Sequence, residues 1–107
     1  MRKLTNNLLE NITKRLVESI RPDMIYLFGS HATGNADWDS DIDLLAVIPD
    51  TDRSIREITL DGRSSLWGLD IPFDLIVCTQ YQFNRFRNVK NTIMNEVLYE
   101  GKLVYGS

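Results

Sequence analysis

The chain has 107 residues, 43% of them hydrophobic, and its 12 Lys plus Arg stand against 15 Asp plus Glu for a formal net charge of −3. That length predicts one compact domain over residues 1–107, with enough apolar material for a single core. The acidic balance supplies no global basic field to hold a phosphate backbone, which argues against stand-alone DNA or RNA binding.

The N-terminal MRKLTNNLLENITKRLVESI is broken every few residues by charge or amide. It therefore has neither the apolar stretch of a signal peptide nor the length of a membrane span, and the expectation is a soluble, cytoplasmic protein. Within it Leu4, Leu8, Ile12, Leu16 and Ile20 recur every four residues and line one face of a helix, which Arg21-Pro22 ends. MIYLF (24–28) reads as a buried strand meeting a tight turn at Gly29-Ser30, and Gly34 and Asn35 close a short helical turn that begins at Ser30.

DIDLLAVI (41–48) is a second strand, apolar on both faces beyond Asp43 and stopped by Pro49-Asp50. A helix from about Asp52 to Leu66 follows, with Ile55 and Ile58 inward and Asp52 as its N-cap. IPFDLIVC (71–78) is a third strand, and Thr79-Gln80-Tyr81-Gln82 has the form of a capping box that opens another helix. The last helix carries Val89, Ile93 and Val97, and Gly101 ends it before a short LVY segment. The single cysteine, Cys78, sits inside the third strand, where it reads as a buried structural thiol consistent with a reducing compartment. The order of elements describes a small α/β domain whose sheet is covered by helices on at least one face.

Four aspartates, Asp37, Asp39, Asp41 and Asp43, alternate just ahead of the second strand. An EF-hand loop fails to fit, because Ile42 and Ile48 occupy the positions that need Gly and an acidic ligand. Asp37 and Asp39, flanking Trp38, read as hydrated loop charge. Side chains on a strand alternate, so Asp41 and Asp43 point the same way, about 6.6 Å apart, and repel one another. A hard divalent cation such as Mg²⁺ or Mn²⁺, completed by water and a substrate phosphate, relieves that repulsion; alone, however, a D-x-D is more often an ordinary solvated pair.

Two further features bear on that choice. At Gly29-Ser30, free backbone N–H groups and a hydroxyl can grip phosphate oxygens, although GSHATG lacks the Gly-Lys-Ser/Thr ending of a P-loop. Asp74 interrupts the third strand and faces opposite to Phe73 and Leu75, either as a surface residue at a sheet edge or as a partner of the other carboxylates. If the third strand lies beside the second, Asp74 joins Asp41 and Asp43 on one face, and three carboxylates can hold two ions about 3.5 to 4 Å apart.

Gly29-Ser30, the AxG at Ala32 and Gly34, SDID at 40–43 before LLAVI, and the single Asp of FDLIV together resemble the minimal nucleotidyltransferases of the DNA polymerase beta-like superfamily. The resemblance implies that family's α+β fold, a small mixed sheet with helices packed on it. It also implies a two-metal enzyme, with Mg²⁺ or Mn²⁺, that moves a nucleoside monophosphate from an NTP to a hydroxyl. By motif, Gly29 and Ser30 would hold the triphosphate, Asp41 and Asp43 would bridge the metals, and Asp74 would complete the ion that activates the acceptor. Such minimal proteins pair with a helical HEPN ribonuclease toxin and act as its antitoxin, which implies ATP as donor, a toxin tyrosine as acceptor and a hetero-oligomeric assembly. Two alternatives stay open: nucleotidylation of a small hydroxylated molecule at a homodimer interface, and a non-catalytic antitoxin that neutralises by occlusion. His31 reads as incidental to the site. Tyr81, Arg85 and Arg87 could form a stacking and phosphate patch, with Phe83 and Phe86 in the core.

Overall fold

A computed structural model describes residues 4–37 and 40–106. Trp38 and Asp39 therefore lie outside the described residues. Five helices and four strands occur among those described: α1 (Asn6–Ile20), β1 (Met24–Phe28), α2 (Ser30–Thr33), β2 (Ile42–Ile48), α3 (Ile55–Ser65), β3 (Phe73–Thr79), α4 (Gln80–Phe86), α5 (Ile93–Glu100) and β4 (Lys102–Tyr105).

The strands make one mixed sheet in the order β3-β2-β1-β4. β1 runs antiparallel to both β2 and β4, whereas β2 and β3 are parallel, joined by the α3 crossover. β2 is apolar without alternation because both of its faces are covered. Leu44, Ala46 and Ile48 face one core with Ile12 and Leu16 of α1 and Ile58 of α3; Leu45 and Val47 face a second with Phe83 of α4 and Val97 of α5. By the same alternation Asp43 and Asp74 belong to the α4/α5 face, at the end of the sheet where β1 stops and β2 and β3 begin.

Helix ends follow local chemistry. Thr5 caps α1 through the Leu8 amide at 3.1 Å, and Arg21, at φ 49 before Pro22, ends it. Thr79 and Gln82 form the expected reciprocal capping box at 3.2 and 3.0 Å. Two expectations need correction. Ser54, not Asp52, caps α3, because the Ser54 hydroxyl accepts from the Glu57 amide, while Thr51 takes up the Arg53 amide in the preceding turn. Val89 is on no helix: the Thr92 hydroxyl donates to the Phe86 and Val89 carbonyls, Asn91 turns at φ 68, and α5 starts only at Ile93. The LVY segment proves to lie within an edge strand, β4.

Cys78 is buried, and burial pushes its thiol up to about 11, so it is an inert core group at neutral pH. Among the described residues no helix is long and apolar enough to cross a membrane.

α3 packs closely on its neighbours because Gly62 has no side chain. A Cβ there would come within 2.7 Å of Leu75 Cδ2 and 3.5 Å of Leu16 Cδ2 and Ile20 Cδ1. Gly62→Val should cost about 1–3 kcal/mol through overpacking, read as a lower midpoint in thermal melts. Gly62→Ala should be milder, since a leucine methyl can yield and Ala favours the helix.

Candidate active site

The site is assembled where three chain segments end or begin together. β1 stops at Phe28, and Gly29 follows at φ 72, ψ −155, a region essentially closed to residues with a Cβ. That turn starts α2, in which Ala32 and Thr33 donate to the Gly29 carbonyl at 3.1 and 3.2 Å. The Ser30 and His31 amides precede the first intrahelical bond, so they are the donors a phosphate could use.

Strand pairing brings the aspartates together. Phe28 is opposite Asp43 in the β1–β2 ladder, and Asp43 is opposite Asp74 in the parallel β2–β3 ladder, so the two carboxylates leave the sheet side by side on one face. This meets the condition on which the sequence reading of Asp74 depended. Asp41 lies just before β2 and is exposed, whereas Asp43 is half-buried. Gly29 closes over Asp43, and a Cβ at Gly29 would run into Asp43 Oδ2, well inside contact distance. Of the five residues singled out from sequence, Gly29, Asp43 and Asp74 are thus brought together. Asp41 and Ser30 sit next to them in the chain.

Burial raises the pKa of Asp43 above its ordinary value of 3.8, and the negative charges of Asp74, Asp41 and Glu96 raise it further, while His31 opposes them. After burial, the largest cause, the rise comes from carboxylates gathered near Asp43, a repulsion that a bound cation would relieve. The set fits a hard divalent ion in donor type, being made of carboxylates. Among the described residues no three acidic, His or Cys side chains form a ready-made metal cage. A Mg²⁺ site needs none, since it takes one or two carboxylates and fills the remainder with water and substrate phosphate.

The raised pKa has a consequence for stability. Asp43 gives up its proton more readily in the unfolded chain than in the folded one, so with metal chelated the folded state is penalised above the raised pKa and relieved as pH falls towards 3.8. Asp43→Asn should therefore raise the melting temperature at pH 7 in EDTA, and the gain should vanish under acid.

Two neighbours, Glu96 and Arg63, were not picked out by sequence, and a third, His31, reads from sequence as incidental yet lies near enough to Asp43 for its charge to act there. Glu96 of α5 is close enough for its charge to act on Asp43. Arg63, in the last turn of α3, places Nη2 3.3 Å from Asp74 Oδ1. His31 Nε2 lies 3.2 Å from the Ser40 carbonyl, so this histidine ties α2 to the approach to β2. Each is an exposed or half-exposed polar residue on a short element, indistinguishable by pattern from a solvated one.

Asp37 is exposed but also structured, since the Ser40 hydroxyl donates to its carboxylate and its amide donates to the Ser40 hydroxyl, both at 3.0 Å. Phe83 is core, stacked on Tyr26 with ring centroids 5.6 Å apart, and Arg87 lies over its ring. Arg85 donates to the Tyr81 hydroxyl at 3.2 Å. α4 leaves the sheet at Thr79, the end of β3 away from Asp74, so Tyr81 starts at a distance from the carboxylates.

A mixed four-stranded sheet with paired acidic residues beside a Gly-Ser turn defines a class, the polymerase beta-like nucleotidyltransferase fold. The family model described as polymerase beta, nucleotidyltransferase matches residues 10–107, and the chain belongs to that family. A toxin-antitoxin crystallised with AMP-PNP contains a chain 27% identical, with a TM-score of 0.59, over 92% of this chain and 73% of that one. A doubly Asp-to-Glu-substituted MntA-HpeT toxin-antitoxin gives 25% identity and a TM-score of 0.62 over the same shares. A protein from Sulfolobus solfataricus, 22% identical with a TM-score of 0.64 over 92% of this chain and 78% of that one, shows the fold alone. A search of curated proteins found no significant match. Family membership and these neighbours agree with the resemblance of Gly29-Ser30, Ala32, Gly34, SDID and Asp74 to the minimal nucleotidyltransferases of this superfamily.

Proposed function

We propose that this protein is a metal-dependent nucleotidyltransferase that moves AMP from ATP to a tyrosine hydroxyl of a helical HEPN ribonuclease toxin, and so serves as its antitoxin in the cytoplasm. The observation that carries the reading is the register of Asp43 with Asp74 beside the Gly29-Ser30 turn, supported by family membership and by likeness to chains solved in toxin-antitoxin complexes.

In this reading the backbone of Gly29 and Ser30 holds the triphosphate, and the absence of a Cβ at Gly29 lets Asp43 sit against the same turn. Asp41 and Asp43 would hold two Mg²⁺ or Mn²⁺ ions, and Asp74 would complete the one on the acceptor side. Bound there, the metals would lower the pKa of the attacking hydroxyl and neutralise the leaving pyrophosphate. The hydroxyl oxygen forms a bond to the α-phosphorus as the bond to the β-phosphate breaks, releasing pyrophosphate and the hydroxyl proton. What the chain itself contributes is position and charge, holding donor and acceptor in line on one face of a rigid sheet.

Incubation with ATP, Mg²⁺ and the cognate helical protein should add the mass of one AMP to that protein at a tyrosine. No adduct on that protein with any nucleoside triphosphate would sink transfer to the partner and leave a small-molecule acceptor or neutralisation by occlusion.

A further inference from the structure

Asp74 stands on β3, the edge strand, so no further strand confines its side chain on the outer side. Its Cα is fixed by the ladder, but its carboxylate faces that of Asp43, and the repulsion between them favours rotation of the more exposed partner towards water. Among the described residues one contact opposes that rotation. Arg63 comes from α3, which covers the opposite face of the sheet, and reaches round the open β3 edge to place Nη2 3.3 Å from Asp74 Oδ1. Only Oδ1 takes this contact, so Oδ2 is left to serve the site.

The base of Arg63 is itself well fixed. Gly62, the residue before it, is buried against Leu75, the residue after Asp74, so the two segments are held together by core packing on one side of the pair. On the other, Leu66 is fully buried, and Arg15 of α1 donates to the Ser65 and Trp67 carbonyls at 3.3 and 3.0 Å, which anchors the end of α3. An arginine whose backbone is anchored on both sides, holding one oxygen of an otherwise rotatable carboxylate, is a device for orientation.

We infer that Arg63 is a positioning residue that sets the orientation of the Asp74 carboxylate and thereby the acceptor side of the transfer reaction. The inference rests on the transferase reading above, and it separates Arg63 from the groups that hold nucleotide. Both side chains are about half exposed, so the pair contributes little to stability and Arg63 variants should fold.

The test compares wild type, Arg63→Met, Arg63→Lys and Asp74→Asn in steady-state AMP transfer, with thermal melts on each. Arg63→Met should lower kcat about 10- to 100-fold, the usual effect of removing a partner that orients a metal-site ligand, while KM for ATP stays within about twofold. Arg63→Lys keeps a charge and a donor and should recover much of the loss. A second readout is independent of turnover: Mn²⁺ titrated into the protein with a non-hydrolysable ATP analogue, followed by electron paramagnetic resonance. Arg63→Met should weaken the Mn²⁺ equivalent that Asp74→Asn also weakens, and leave the other. Wild-type kcat in Arg63→Met with unchanged Mn²⁺ binding would overturn the inference, as would a loss appearing wholly in KM for ATP. Absence of transfer by the wild type would count against the transferase reading, whereas the Mn²⁺ comparison would still decide whether Arg63 orients Asp74.

Discussion

Asp43→Asn is expected to reduce AMP transfer on the order of a thousandfold or more while leaving the protein folded. Asp43 is the hub of the carboxylate group: it is opposite Asp74 in the ladder, two residues from Asp41, and packed against Gly29. The amide keeps the shape but removes the anion that a divalent cation requires, and loss of a charge-stabilising group in a preorganised site costs two to three orders of magnitude or more. The same substitution should stabilise the metal-free protein at neutral pH, because the raised pKa of Asp43 marks a charge that folding disfavours. Opposite signs for activity and stability in one variant distinguish a functional carboxylate from a structural one. Rate assays and melts in EDTA measure both, and a variant that loses both would indicate a structural role.

Gly29→Ala is expected to have the second largest effect. Backbone at φ 72, ψ −155 costs a residue with a Cβ about 1–3 kcal/mol, and the new methyl group would displace the Asp43 carboxylate. Transfer should fall on the order of a hundredfold, the scale of a displacement of about 1 Å in a positioned site. Melting temperature should fall as well, unlike in Asp43→Asn. An alanine variant with wild-type turnover would mean that Gly29 matters only as a turn.

Much of this architecture can be read from residues alone, and the reasons differ by element. β1, β2 and β3 announce themselves as short apolar runs bounded by Gly, Pro or a capping residue. The Thr79 box is a local hydrogen-bond pattern that tertiary structure had no cause to override. The pairing of Asp43 with Asp74 was legible only conditionally, because it depends on which strands are neighbours, and that is decided by how the helices between them pack.

Other features lie beyond pattern. Asp52 has the chemistry of a cap, yet Ser54 takes the role because the Arg53 amide is committed to Thr51 in a turn and α3 starts only at Ile55. Val89 has the spacing of a helical core residue, yet Asn91 reverses the chain and leaves it 46% exposed. β4 is four residues long with only Val104 partly buried, too short to show alternation. The Arg63 contact with Asp74 and the charge of Glu96 felt at Asp43 come from helices on opposite faces of the sheet, relations that no periodicity encodes.

On the proposed reading the Asp43–Asp74 face transfers the nucleotidyl group and not the terminal phosphate. The most direct measurement supplies ATP labelled at the α-phosphorus or at the γ-phosphorus, with Mg²⁺ and the helical partner, and asks which label becomes covalent on the partner. Label from the α-position alone, absent with Asp43→Asn, is the result expected. Label from the γ-position, or α-label undiminished in Asp43→Asn, would contradict it.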